Sequence, residues 1–202
     1  MRVWAGVIAL CAGLLLSGCQ ADSGVQAGFE PKSAVDLLRN TTSFSYPPYH
    51  TPTAMRQDMD VVVVGEVSSV DVALTEDPDE QGGAVIIGLK PVEEWKRQGG
   101  KPGDTVYFWI TRPTNLGKDV YQEAFPVGMK IVLFGQNAAT SSDIRFATNV
   151  PDLVFAPVPQ GVFIADQAGA FVNVWGDDEY TKSWRANSIS ELRRQAKPET
   201  VS

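Results

Sequence analysis

The chain has 202 residues, 44% of them hydrophobic, with 17 basic against 24 acidic side chains and a formal net charge of −7. That balance excludes a basic nucleic-acid binder, which needs patches of Lys and Arg, and it excludes an electrostatic grip on anionic lipid. The length suits one globular domain, which would bury about 70% of its unfolded surface.

The N-terminus opens with one basic residue, Arg2, followed by an apolar run from Val3 to Leu16. The run is too short to span a bilayer, which takes about 20 apolar residues, and it fits the core of a secretory signal peptide. It ends in Leu16-Ser17-Gly18-Cys19, which resembles the lipobox of bacterial lipoproteins. Ser17 and Gly18 supply the small side chains a membrane peptidase requires before the cut. The Cys19 thiol is the soft nucleophile that takes a diacylglyceryl thioether. The resemblance implies residues 1–18 as a signal peptide and Cys19 as the acylated first residue and lipid attachment site. The alternative is an ordinary signal peptide, or an uncleaved anchor, that happens to hold a cysteine. Cleavage would remove Arg2 and no acidic residue, leaving 16 basic against 24 acidic side chains, a net charge of −8. Cys11 and Cys19 are the two cysteines, so the folded part must do without a disulfide, although export leads to an oxidising space.

Residues 19–31 read as the lipidated Cys and a flexible tether, small and polar, with an r.m.s. reach of about 20 Å. Residues 32–196 read as a single β-barrel-like domain behind an N-terminal strap, and 197–202 as a tail. Ser33 to Arg39 predicts a short helix with Ser33 and Asp36 as a capping box, and Asn40-Thr-Thr a turn. Phe44 to Pro52 is rich in aromatics and prolines, so it should run extended. It serves either as an aromatic platform of Tyr46, Tyr49 and His50 or as a strap packed on the domain. Thr53 to Met59 predicts one helical turn. Asp60 to Val67 carries four consecutive valines, the mark of a strand buried on both faces, with Gly65 at a bulge or bend.

Glu76 to Gly83 is an acidic hairpin loop. Asp77, Asp79 and Gly82 superficially resemble a calcium loop, but Gln81 lacks a carboxylate and Gly88 stands where a bidentate Glu is required, so no metal site is assigned. Ala84 to Trp95 predicts a second strand, with Pro91 placing its far half at an edge or bulge. Gln98 to Asp104 is a turn. Thr105 to Thr111 predicts a third strand, with Val106, Phe108 and Ile110 on one face and Tyr107 and Trp109 on the other. A short helix over Asp119 to Ala124, a fourth strand over Met129 to Gly135 and a turn-rich stretch over Ala138 to Asp152 follow. Gly161 to Ala165 and Ala170 to Trp175 predict a hairpin turning at Gly169. Ser188 to Gln195 predicts a closing helix, with Arg193 and Arg194 near its C-terminal end.

About six short strands with marginal helices predict a mainly β fold, a small partly open OB-like barrel with short flanking helices. The stretches Asp60–Val67, Val92–Lys96, Pro102–Val106, Phe125–Phe134 and Pro159–Phe163, in that order, resemble a group of uncharacterised exported proteins and lipoproteins of mostly actinobacterial Gram-positive bacteria. More distantly, the pattern is similar to netrin-like domains and tissue inhibitors of metalloproteinases, which are OB-type barrels. Those inhibitors act through a disulfide-held N-terminal Cys. This chain departs from that pattern, so protease inhibition does not carry over.

The motifs argue against catalysis. His50 is the one histidine, and no G-x-S-x-G, H-E-x-x-H or phosphate-binding glycine loop occurs. Glu93 and Glu94, as neighbours on a strand, point to opposite faces and do not form the carboxylate pair of a glycosidase. Asp177-Asp178-Glu179 reads as a solvated loop. No catalytic residue and no cofactor is assigned. The expected function is a membrane-tethered extracytoplasmic binding module for a protein, peptide or glycan ligand, its partners being the membrane through the lipid anchor and not nucleic acid. A scaffolding lipoprotein and an envelope-polymer hydrolase are the alternatives. A binding module calls for an exposed aromatic or apolar patch near Tyr46, Tyr49, Tyr107 or Trp109, and a hydrolase for a cleft holding His50 or converging carboxylates.

Overall fold

The computed structural model describes residues 34–41, 48–76, 83–113, 115–141, 144–165, 170–175, 184 and 188–196. The anchor residue Cys19, the signal and tether segments, Ser33, Phe44, Tyr46, the acidic loop from Asp77 to Gly82, Gly169, the Asp177–Glu179 triplet and the 197–202 tail lie outside the described residues. In chain order the elements are α1 (Ala34–Thr41), α2 (Pro52–Asp58), β1 (Val61–Ala73), β2 (Ala84–Arg97), β3 (Val106–Thr111), α3 (Lys118–Ala124), β4 (Lys130–Asn137), α4 (Ala138–Ser141), β5 (Val154–Ala165), β6 (Phe171–Asn173) and α5 (Ile189–Ala196). The fold is mainly β, as expected.

The six strands form one sheet in the order β3-β2-β1-β4-β5-β6, with each adjacent pair antiparallel. A parallel pairing of Tyr107 with Val154 and Phe108 with Phe155 joins β3 to β5. Five strands therefore make a near-closed ring. Its last seam is only two residue pairs long, so the term barrel overstates the closure. β6 pairs with the second half of β5, beyond that seam.

β1 is the centre of the sheet because its side chains are apolar on both faces. Val61, Val63, Val67 and Val70 point into an inner cluster with Val85, Ile87, Leu89, Phe108, Ile131, Leu133, Phe155 and Ile164. Val62 and Val64 point outward and pack with Val132, Phe134 and Phe163 under Met55 and Met59 of the α2 region and Leu192 and Ala196 of α5. The four valines from Val61 to Val64 are fully buried, each worth about 1.5–3 kcal/mol. Helices α1 and α3 pack on the inner cluster through Leu37, Leu38, Tyr121 and Phe125. A third cluster lies outside β2 and β3, where Ala84, Ile86, Tyr107 and Trp109 meet Phe146 and Val150.

Four sequence expectations change. Asn40 and Thr41 continue α1 instead of turning, because Asn40 Nδ2 donates to the Asp36 carbonyl (2.7 Å) and Thr41 Oγ1 to that of Leu37 (2.7 Å), the back-bonding that lets such residues sit in a helix. The expected single turn after Thr51 is helix α2, capped by the Thr51 hydroxyl accepting from Ala54 N. β1 runs on to Ala73, six residues past Val67. β5 begins at Val154 and not at Gly161. Pro157 and Pro159 disguise it, since proline is a poor ladder residue. The ladder to β4 breaks between Leu133 and Gly135, opposite Val162 and Pro157, so the prolines sit where the strand bends from one neighbour to the next. The Gly65 bend is present: the β1–β2 register shifts between Val64 and Gly65, opposite Pro91.

Gly161 stands where β5 passes under Phe134. A Cβ there would lie 2.5 Å from Phe134 Cβ and 3.1 Å from its carbonyl oxygen. Gly161→Ala should therefore destabilise the protein by about 1–3 kcal/mol through overpacking, read as a lowered midpoint in urea unfolding with an unchanged slope. Tyr121 offers a second test. Its phenol is buried beside Thr41, without a hydrogen bond of normal geometry, and burial, partly offset by Arg112 and Thr41, pushes it up from 10.0 to about 12. The folded state thus holds the proton longer than the unfolded state, so stability is intact below pH 10 and falls as the pH rises toward 12. Tyr121→Phe should flatten that alkaline loss in a pH series of thermal unfolding.

Candidate functional site

The far half of β2, from Lys90 to Arg97, has β1 as its strand neighbour and no partner on the β3 side among the described residues, because β3 pairs only with Ala84 to Leu89. An uncovered edge is a pairing hazard, and the local sequence answers it. Pro91 lacks an N–H, Glu93, Glu94, Lys96 and Arg97 are charged, and two register shifts interrupt the ladder. The β2–β3 turn folds back on this edge. Glu94 Oε1 accepts from Arg97 Nη1 (2.9 Å) and from Gly103 N (2.9 Å), and Arg97 also reaches the carbonyls of Gly99 and Asp104.

Two helices reach the same edge from the other side. α5 lies on the outer cluster, and its Arg193 guanidinium donates to Glu93 Oε2, which also accepts from the Trp95 indole Nε1 at 2.9 Å. α2 receives the C-terminal carbonyls of α5: Thr53 Oγ1 donates to Gln195 O (2.9 Å) and Arg56 Nη1 to Ala196 O (3.3 Å). Arg56 Nη2 reaches the Trp95 carbonyl at 2.6 Å. Lys96 Nζ in turn donates to the last carbonyls of α2, those of Arg56 and Gln57. Cations at helix C-termini are the favourable arrangement. β2, α2 and α5 are thereby linked in a closed circuit of polar contacts.

Within that circuit lies a groove of about 440 Å³ lined by Arg56, Glu93, Glu94, Trp95 and Arg193, within the size range of small-ligand sites. Trp95 is half-buried and meets Phe134 edge-on, with ring centroids 6.4 Å apart at 78°. Glu93 is held below the ordinary carboxylate value, first by the Trp95 hydrogen bond and then by Arg193, against a smaller opposing effect of burial. An acid catalyst needs the reverse, a carboxyl raised so that it keeps its proton. The two carboxylates do not behave as strand geometry alone predicts. They point to opposite faces, yet both line the groove, because it runs across an uncovered strand edge where the two faces meet. Each is engaged by a cation of its own.

A second cavity, about 340 Å³, lies on the β4–β5 connection among Asn137, Ile144, Phe146, Val150 and Asp152. The same connection covers the outer aromatic face. Phe146 meets Trp109 edge-on at 6.5 Å, Tyr107 and Trp109 are half-buried, and Trp109 Nε1 is buried with no hydrogen-bond partner among the described residues. The expected exposed platform at these rings is therefore not formed, because the chain covers it with its own loop. Tyr49 is half-buried as well. Its backbone N–H donates to Gln160 Oε1 (2.6 Å) and its carbonyl accepts from Gln160 Nε2 (3.2 Å), and its phenol is raised by burial, then by the charge and hydrogen bond of Asp58. His50 is exposed. No cluster of three or more His, Cys, Asp or Glu is placed to hold a metal among the described residues.

Sequence reasoning missed Gln160, a fully buried amide that ties the strap to β5, and it missed the roles of Arg56, Trp95 and Arg193. The stretch Val92–Lys96 stood out only as a fold-forming pattern. Nothing local places a helix one hundred residues later against it. No family model, no curated protein and no solved structure matches this chain.

The Glu93 contacts carry a pH signature. A carboxylate held below its ordinary value of 4.5 contributes stability that is present above that value and is lost as the pH falls through the lower, folded one. In the wild type the Trp95 indole N–H resonance should move as the pH drops below 4.5, and in Glu93→Gln it should stay in place over the same range. NMR titration of the indole region checks this.

Proposed function

We propose that the chain is a lipid-tethered binding module on the extracytoplasmic face of a cell membrane, held by a diacylglyceryl group on Cys19 and acting through the groove beside β2. The observation that carries the reading is Leu16-Ser17-Gly18-Cys19 at the end of a short apolar run behind Arg2. Small residues before a cysteine at that distance suit cleavage and thioether formation. A doubly acylated Cys gives lasting attachment at about 0.8 kcal/mol per buried CH₂. Two further features support it. The rest of the chain has no cysteine, so Cys19 has no disulfide partner once the leader is removed. The apolar run behind Arg2 is shorter than the about 20 residues a spanning helix takes, so lipid supplies the hold in this reading.

Binding in place of catalysis is supported by the chemistry of the groove. Its carboxylates are ion-paired, one of them with a lowered proton affinity, which suits recognition by hydrogen bonds and does not suit proton transfer near neutral pH. A net charge of −8 after cleavage disfavours nucleic acid as the partner. Protein purified from membranes should show the mass of residues 19–202 plus a diacylglyceryl group, or that mass with a further acyl chain, and Cys19→Ala should carry no lipid. A wild-type mass without lipid, differing from that of the variant only by the substitution, would overturn the tether and with it the membrane location.

A further inference from the structure

Resting on the binding-module reading, we propose that the groove between β2, α2 and α5 is a saccharide site, taking a neutral pyranose segment on Trp95 with Glu93, Arg56 and Arg193 as hydrogen-bonding partners. Charge selects the class. Arg56 and Arg193 line one groove together with Glu93 and Glu94, so an anionic ligand meets two carboxylates and a cationic ligand two guanidinium groups. A neutral ligand bearing many hydroxyls meets neither penalty. Each hydroxyl can donate to a carboxylate oxygen and accept from a guanidinium N–H, bonds to charged groups that are worth about twice neutral ones.

The aromatic partner fits the same class. Trp95 is half-buried, and its ring is held by a T-shaped contact with Phe134 and by Glu93 at its N–H. A ring already immobilised offers apolar area at little entropic cost, and the C–H face of a pyranose is the complement of an aromatic face. The volume, about 440 Å³, suits one or two sugar rings and not a folded partner.

A peptide added as a further strand fits less well, although the β2 edge lacks a strand neighbour there. Such pairing needs a run of regularly spaced backbone donors and acceptors. Here the Trp95 carbonyl is already taken by Arg56 at 2.6 Å, Pro91 has no donor, and the register shifts twice over Val62 to Gly65.

The test uses the mature protein, residues 19–202 with Cys19→Ala so that it stays in solution. Saturation-transfer NMR with cellotetraose, chitotetraose and maltotetraose at millimolar concentration reads binding directly. The expected result is transfer to at least one of the three, with a Kd, read from its concentration dependence, raised at least about tenfold, or 1.4 kcal/mol, in Trp95→Ala and in Glu93→Gln. Exposed Val127→Ser, remote from the groove, should leave it unchanged. Since Trp95→Ala also removes a contact to Phe134, Trp95→Phe keeps the test decisive: it preserves an aromatic face and should retain part of the transfer. No transfer to any of the three in a folded wild-type protein sinks the saccharide assignment, as does transfer that survives both groove substitutions. A photo-crosslinker at position 56 in the lipidated protein separates this failure from that of the underlying reading. Capture of a protein partner there, with no saccharide bound, leaves a binding module with the wrong ligand class. An unlipidated wild type removes the reading itself.

Discussion

The whole architecture depends on the two apolar faces of β1. A strand with valine at four successive positions cannot sit at a water-facing surface. Val61 and Val63 require an interior, which the ring of five strands encloses, and Val62 and Val64 require an outer cover, which α2 and α5 supply. One strand therefore commits the chain to two layers of burial. The helices are short, seven and eight residues, well below the length at which an isolated helix holds in water. They persist because the outer faces of β1 and β4 and the β5 residue Phe163 need them.

That obligation explains why polar residues far apart in sequence converge on β2. Once α5 lies on the outer cluster, its last turn ends beside α2, and Thr53 and Arg56 satisfy carbonyls that would otherwise be left without partners at a packed helix end. Arg193, on the rim of the same helix, meets Glu93. The exposed part of this pair contributes little stability by itself, since exposed ion pairs are worth about 0–1 kcal/mol. Its effect is geometric: it fixes the position of Trp95 and keeps the groove lined with both signs of charge. The same residues discourage strand pairing at the β2 edge, so protection against aggregation and the proposed ligand site draw on one set of side chains.

Much of the fold was legible because it is written in local pattern. The Asp60–Val67 run announced a central strand, the alternation of Val106, Phe108 and Ile110 against Tyr107 and Trp109 announced a two-faced one, and Pro91 marked where β2 loses a neighbour. Two kinds of information were not local. Pro157 and Pro159 hid the first half of β5, because a residue-by-residue rule against proline in strands does not see that the strand bends there. The groove was hidden more deeply. Strand alternation correctly separates Glu93 from Glu94, but it says nothing of an edge across which both faces open, nor of a helix at Ile189–Ala196 brought there by packing. Gln160 was invisible for the same reason, since its two amide bonds go to the backbone of Tyr49, over a hundred residues away.

The direction of the chain gives the groove its place relative to α1. The described fold begins at α1, which packs with α3 on the inner cluster. α3 precedes the turn in which Gly128 and Met129 bond to Val67. The groove lies toward the start of β1, where Val63 and Val64 stand opposite Glu94 and Glu93. Between Val63 and Val67 the strand advances about 13 Å, at about 3.3 Å per residue. The groove and the α1–α3 packing therefore lie at different points along β1.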